Sequence, residues 1–400
     1  MSMGSNNSKI RYEAVSDLDG RDRDRAIDLL AKSFPTSNYF DLYKAISSYF
    51  CNTPKLKCLL IKKNSKIVGV HCIVDRILNY YGVECNVAGL AYLAIDPEHQ
   101  RSDVISTITE MKFDYISRNA DLSLGFARRA MDNYWFRYGE IGITNFCEIT
   151  LPMAHVPSSI RSELKARVAQ NGDIAFLSEA YERNNADLLG PFKRDDELWR
   201  YYFDRARLLK FKFMVVCSVD RPVGYYILQE NTILEVGYDI GFGDEVLNYL
   251  IQTTRGSGYD EILFKIGRFH PLVHSVSKYS YSISKRYAWK GGHQAKISSV
   301  LSFITKIRTI LESRISNYNI GDFEFSCNEI HFQYSDKEFT VGSCASGTSD
   351  VKFEKNEWTK LLMGASTPRG LDRFEGGGFE SVMEILFPDC DTQFLEIDQF

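Results

Sequence analysis

Apolar and polar positions along residues 10–151 switch between a period of two and a period near 3.6, as strands interleaved with helices require. Residues 10–14 read as a short strand, and 22–34 as a helix with Ala26, Leu29, Leu30 and Phe34 on one stripe. Apolar runs at 57–62 and 67–78 flank the turn dipeptide Asn64-Ser65 and predict an antiparallel hairpin. Residues 83–95 form the next strand, which Pro97 stops because proline cannot donate to a ladder. Ser102 is placed to cap a helix ending near Arg118, with Ile105, Ile108, Met111, Phe113 and Ile116 as its buried positions. A strand at 122–126, a short helix at 131–138 and a closing strand at 143–151 complete a mixed sheet with helices packed on it.

The pattern then repeats. Residues 213–217, a turn at 218–221 and a run at 223–228 echo 58–61, its turn and 67–70. A strand at 232–236, a helix at 244–254, the loop Arg255-Gly256-Ser257-Gly258 and a strand at 261–266 follow in the same order, so 152–295 reads as a second copy of the fold. Beyond Lys296 the texture changes. An amphipathic stretch at 300–315, strand-like pieces at 324–327, 329–334 and 338–342, and helical patterns at 360–363 and 379–386 predict a separate α+β module. The expected fold class is α/β (α+β), with domains 1–151, 152–295 and 296–400.

Composition narrows the function classes. A chain of 400 residues exceeds what one hydrophobic core supports. Its formal charge of −4, with Lys and Arg spread along the chain, lacks the basic excess of a phosphate-tracking surface, and no nucleic-acid partner is expected. A weakly acidic protein suits a cationic substrate. Met1 to Lys9 is rich in Ser, Asn and Gly without an apolar core, so no signal peptide is expected, and no apolar run is long enough to span a membrane. The nine cysteines are odd in number, include no C-x-x-C, and sit partly inside apolar runs such as 70–74, which points to free thiols in a reducing cytoplasm. His270-x-x-x-His274 has helical ligand spacing, but Pro271 intervenes and no third ligand is evident, so no metal is expected.

The segment carrying chemistry runs from Gly89 to Ser106, where a strand ending at Pro97 passes into a capped helix. Backbone N–H groups at such a helix start form an anion site, and a diphosphate is one natural occupant. A plain strand–loop–helix connection has the same spacing.

The strand, Pro97 with Gln100 and Arg101 behind it, and the helix resemble the acetyl-CoA loop of the GNAT superfamily of N-acetyltransferases. Downstream, Gly125-Phe126-Ala127 opens a segment reaching Tyr134-Trp135-Phe136-Arg137-Tyr138-Gly139, similar to the family's aromatic-x-Arg-aromatic-Gly signature. Leu386-Phe387-Pro388 followed by Asp398-Gln399-Phe400 resembles the end of the Eis-like (enhanced intracellular survival) subgroup, which has two GNAT domains, the second non-catalytic, and a sterol-carrier-like third domain. The resemblance implies acetyl-CoA as co-substrate, a primary amine of a small molecule or peptide as acceptor, and a homo-oligomer. It implies that backbone N–H groups of Leu93, Ala94 and Ile95 bind the thioester carbonyl. Arg101, Ser102, Asp103, Val104, Ile105 and Ser106 would hold the pyrophosphate, with Trp135 and Phe136 on the cofactor side. The carboxylate of Phe400 would be the base, and Glu140, at the family's tyrosine position, would protonate the thiolate, with Tyr138 or Tyr134 as substitutes.

Two positions depart from the family pattern: Asp103 replaces the loop glycine and Glu140 the tyrosine. They define the alternative class, a non-catalytic GNAT-fold binding or assembly protein that has lost the cofactor loop. An apolar-ligand pocket within 296–400 is a third reading.

Overall fold

The computed structural model describes residues 10–15, 20–33, 52–100, 103–127, 132–143, 146–286, 292–318, 320–344, 350–371, 379–390, 392–395 and 398. They belong to two compact units, one drawn from Met1–Arg76, Asn86–Gly125 and Phe400, the other from Ile77–Cys85 and Phe126–Gln399.

In the first unit, β1 (Ile10–Val15) pairs antiparallel with β2 (Leu56–Lys63), and β2 with β3 (Lys66–Tyr80). The β2–β3 turn forms where expected. Asn64 and Ser65 both take positive φ, 50° and 64°, the backbone twist a two-residue hairpin turn needs. β4 (Val83–Ile95) lies beside β3, and β5 (Leu122–Ala127) runs parallel to β4. Strand alternation sends Cys58, Leu60, Val70 and Cys72 to one face, where they pack on Ala26, Leu29 and Leu30 of the helix Gly20–Ser33. Leu59, Ile61 and Ile73 face the helix Val104–Asn119. Of the positions expected to be buried on that helix, Ile108 and Ile116 are, while Ile105, Met111 and Phe113 are only partly covered. Val104, Thr109 and Lys112 take the remaining inward places. The ladder 104, 108, 112, 116 is one stripe at i+4 spacing, and hydropathy alone hid Lys112.

The second unit holds β6 (Ile141–Gly142), β7 (Phe146–Pro152), β8 (Lys165–Val168), β9 (Leu189–Phe192), β10 (Lys212–Ser218), β11 (Arg221–Gln229), β12 (Thr232–Tyr238), β13 (Glu261–Phe264), β14 (Ser282–Arg286) and β15 (Gly292–Ile297). Seven of them form a sheet in the order β14-β7-β13-β12-β11-β10-β8. β8, β10, β11 and β12 pair antiparallel in turn, then β13 runs parallel to β12. The strands of the first unit follow the same sequence. Its core gathers Ile149, Val223, Val236 and Ile262 with Val246, Leu250 and Ile251 of the helix Gly243–Gly256.

Two strands find partners that their patterns did not indicate. The strand expected at 143–151 to close the first sheet forms as β7 and pairs with β13 and β14. β15 pairs antiparallel with β6. Apolar alternation specifies that a segment is a strand and which face it buries, not which edge it joins.

A three-stranded antiparallel meander, β16 (Phe323–Cys327), β17 (Ile330–Ser335) and β18 (Glu338–Ser343), lies in the second unit. The amphipathic stretch at 300–315 forms two helices, Val300–Lys306 and Arg308–Ser316, with Ile307 between them at φ −92° and ψ 11°. Phe325, Phe332, Phe339, Trp358 and Phe387 are all buried and in ring contact.

Candidate functional site

β4 carries an irregularity near its end. Leu90, Leu93 and Ile95 pack toward the helix Val104–Asn119, whereas Ala91, Tyr92 and Ala94 pack on the opposite face. Two consecutive residues on one face break the alternation and mark a bulge, and Tyr92 there has φ 38°. A non-glycine residue at positive φ costs on the order of 1 kcal/mol and persists because its surroundings hold it. Beyond this point β4 and β5 part. Their pairing runs from Val87↔Leu122 to Leu90↔Gly125 and stops. Among the described residues, the backbone of Leu93, Ala94 and Ile95 therefore has no ladder to β5, while the Asp96 N–H donates to the Val68 carbonyl at 2.9 Å and ties the strand end to β3.

Asp96 also caps the turn Pro97–His99, accepting from the Glu98 N–H at 3.1 Å, and pairs with Lys66 at 2.9 Å, which holds its carboxyl below the usual range. Arg101 and Ser102 lie outside the described residues. The helix begins at Val104 with Asp103 in the N-cap position, and the Asp103 side chain accepts no capping hydrogen bond. Ser106 and Thr107 hydroxyls donate to the Asp103 carbonyl at 2.8 and 2.9 Å. The first turn contains no acidic residue. Val104 sits against β3 because residue 69 is glycine: a Cβ there would meet Val104 Cγ1 at 3.0 Å.

His71 lies in the same unit, buried and 3% exposed. Burial lowers its pKa to about 3, with the buried Lys112 cation adding to the effect and the carbonyls of Tyr92 and Ala91 opposing it. No sequence signal singled it out, since one histidine inside an apolar strand carries no spacing.

In the second unit, the helix Asp132–Phe136 ends in a turn in which the N–H groups of Tyr138 and Glu140 donate to the Trp135 carbonyl at 2.9 and 3.2 Å. Gly139 has φ 80°, and Lys296 donates to the Tyr138 carbonyl at 2.8 Å. Trp135 and Tyr138 are half-buried, Phe136 is exposed, and Glu140 is buried. Of the residues that sequence reasoning selected, Leu93, Ala94, Ile95, Asp103, Val104, Ile105 and Ser106 thus share the first unit. Trp135, Phe136, Tyr138 and Glu140 share one turn of the second, and Phe400 lies outside the described residues.

The second sheet has a counterpart to the strand–helix passage. β12 and β13 pair only at Thr232↔Leu263 and Ile233↔Phe264 before parting. Here His270 sits against the strand. Its Nδ1 accepts from the Leu272 N–H and its Nε2 donates to the Val236 carbonyl, each at 3.2 Å, which fixes a neutral ring, and burial lowers its pKa to about 4. The helix Gly243–Gly256 has Asp244 and Glu245 in its first turn. Asp244 pairs with Lys278, whose ammonium, with the Ser275 hydroxyl, holds the carboxyl below its usual range.

Residues 14–139 match the family model described as an acetyltransferase (GNAT) domain. No curated protein matches the sequence. Among solved structures, the chain is similar to a probable N-acyltransferase from Enterococcus faecalis, at 16% identity over 96% of this chain and 97% of that one, with a TM-score of 0.67. It is similar to a GCN5-related N-acetyltransferase from Anabaena variabilis, at 13% identity over 98% and 100% with a TM-score of 0.68. It is likewise similar to Eis1 from Mycobacterium abscessus, at 14% identity over 98% and 100% with a TM-score of 0.63. At these identities the likeness is one of fold, and it extends along nearly the whole chain.

Proposed function

We propose that the protein is an N-acyltransferase that moves an acetyl or other acyl group from CoA to a primary amine of a small molecule or peptide. The observation carrying this reading is the bulge at Tyr92, where β4 leaves β5 and runs on to a helix start without acidic residues in its first turn. It lies inside the segment matching the GNAT domain model. The N–H groups of Leu93, Ala94 and Ile95 would donate to the thioester carbonyl, and those of Arg101 through Ser106 to the pyrophosphate. Trp135 and Phe136 would flank the cofactor. The amine attacks the carbonyl carbon, its proton passes to the carboxylate of Phe400, and the departing thiolate is protonated by Glu140 or Tyr138. We propose the same three-part plan read from the sequence, 1–151, 152–295 and 296–400, with a non-catalytic second copy, a sterol-carrier-like third part, a homo-oligomeric assembly and a cytoplasmic setting.

Asp103 favours a second reading. A carboxylate at the loop where a diphosphate must approach repels it, so a non-catalytic binding protein is the rival. Titration calorimetry with acetyl-CoA separates the two. The transferase is expected to bind at micromolar to low millimolar cofactor and to acetylate a panel of primary amines. No heat at millimolar acetyl-CoA sinks it, and the D103G/E140Y variant is then expected to gain binding.

A further inference from the structure

The densest buried charge cluster among the described residues lies in the second unit and is not used by the proposed chemistry. Arg194 follows β9, and its side chain is fully buried. Its guanidinium donates to both oxygens of Glu235, each at 2.7 Å, and to both oxygens of Asp398 at 3.0 and 2.9 Å. The Tyr202 hydroxyl donates to Asp398 at 2.5 Å and the Tyr225 hydroxyl to Glu235 at 2.8 Å. The rings of Tyr181, Trp199 and Tyr202 surround the cation, 4.0, 4.7 and 4.8 Å from its central carbon.

The charge count is uneven. Arg194 and Glu235 alone make a neutral, forked pair between the start of one helix and β12. Asp398 adds a second carboxylate, and an excess negative charge in a dry interior is destabilising unless hydrogen bonds offset it. The added group belongs to no strand or helix of the second sheet. It belongs to the last stretch of the chain, which is held at a second point as well. The Gln393 N–H donates to the Leu189 carbonyl at 2.7 Å, and the Thr392 hydroxyl to the Met363 carbonyl at 2.5 Å. Gly190, at φ 116°, makes room for this passage: a Cβ there would lie 2.7 Å from the Gln393 carbonyl oxygen.

We propose that Arg194 is a positioning residue, the anchor that holds Asp398 and through it the segment leading to Phe400, whose carboxylate the acyl-transfer reading takes as the base. The last clause rests on the acyl-transfer reading; the docking does not.

D398N on the full chain is the decisive variant, because it leaves the neutral Arg194–Glu235 pair in place. Hydrogen exchange followed by mass spectrometry is expected to show the peptide spanning 392–398 exchanging at least tenfold faster, with peptides from β11 and β12 unchanged. The kcat for acetyl transfer is expected to fall at least tenfold while the acetyl-CoA Kd stays within twofold, and D398E to recover part of the loss. Unchanged exchange at 392–398 overturns the docking. A kcat and Kd that move together overturn the positioning role. If the wild type transfers no acetyl group, the acyl-transfer reading fails, and the exchange measurement alone decides the anchor. R194M should release the same peptide; if it fails to fold, D398N decides.

Discussion

The two sheets share a strand order and a glycine–valine contact but differ at the helix start beside that contact. In the first, Gly69 on β3 admits Val104 of the adjoining helix, and in the second Gly224 on β11 admits Val246. An added Cβ would lie 3.0 Å from the valine in both cases. The repeated close approach is the packing rule of the fold. The helix start next to it is dressed differently. At Val104 the first turn bears no acid and the Asp103 side chain makes no capping hydrogen bond. At Gly243 the chain supplies its own anions, Asp244 and Glu245, and Lys278 fixes one of them. Likewise Tyr92 bulges β4 away from β5, whereas His270 spends both ring nitrogens on the backbone beside β12. Architecture and site are therefore separable: the glycine–valine contact maintains the first, and a handful of polar groups decides the second.

Acid is expected to strain both sheets, with the largest effect. Burial lowers His71 to about 3, His270 to about 4 and His293 to about 3. An unfolded histidine titrates near 6.5, so below that pH the unfolded chain binds protons that the folded one refuses. Stability is then full above about pH 6.5 and falls as pH drops toward 4, at about 1.4 kcal/mol per unit for each histidine. Urea midpoints measured from pH 7.5 to 4 should trace that decline. H71L should reduce the slope by about 1.4 kcal/mol per pH unit, whereas H270L should also cost stability at pH 7.5, because it removes the ring that bonds the Leu272 N–H and the Val236 carbonyl. Equal behaviour of the two would erase that distinction.

The shared contact comes next. G69V and G224V should each lower unfolding free energy by about 1–3 kcal/mol through overpacking against the facing valine. Only G69V should also weaken acetyl-CoA binding, read by calorimetry, because it displaces the helix start assigned to the pyrophosphate. Weakening by G224V as well would mean that the second helix start participates.

D103G should tighten acetyl-CoA about tenfold, or about 1.4 kcal/mol, in low salt. The gain should shrink as salt screens the removed charge. D244N should change no cofactor affinity. It should alter stability by less than about 1 kcal/mol, because both members of its ion pair are about half exposed.

Much of the fold was legible because it rests on local signals. Asn64-Ser65 specified a hairpin, and the run around Val223-Gly224 announced the copy of Val68-Gly69. What stayed hidden depends on partners distant in sequence. The Arg194 fork reaches across 41 residues to Glu235 and 204 to Asp398, and no spacing rule joins such positions. At the candidate site, the residue range was readable from Pro97 and the helix signal, whereas the bulge was not. Tyr92 is an ordinary strand residue in an ordinary apolar run, and nothing in its residue type announces a positive φ.

The pairing of Ile141 and Gly142 with Ala295 and Gln294 has a consequence for synthesis. The two strands close a loop of about 150 residues, so this ladder cannot form until most of the chain has left the ribosome. Until then β6, a two-residue strand at the end of the sheet order, lacks the strand it pairs with. Translation beyond residue 297 is thus the event that completes this ladder, and in a fragment ending before β15 the amides of residues 141 and 142 should lose whatever exchange protection the pairing gives them.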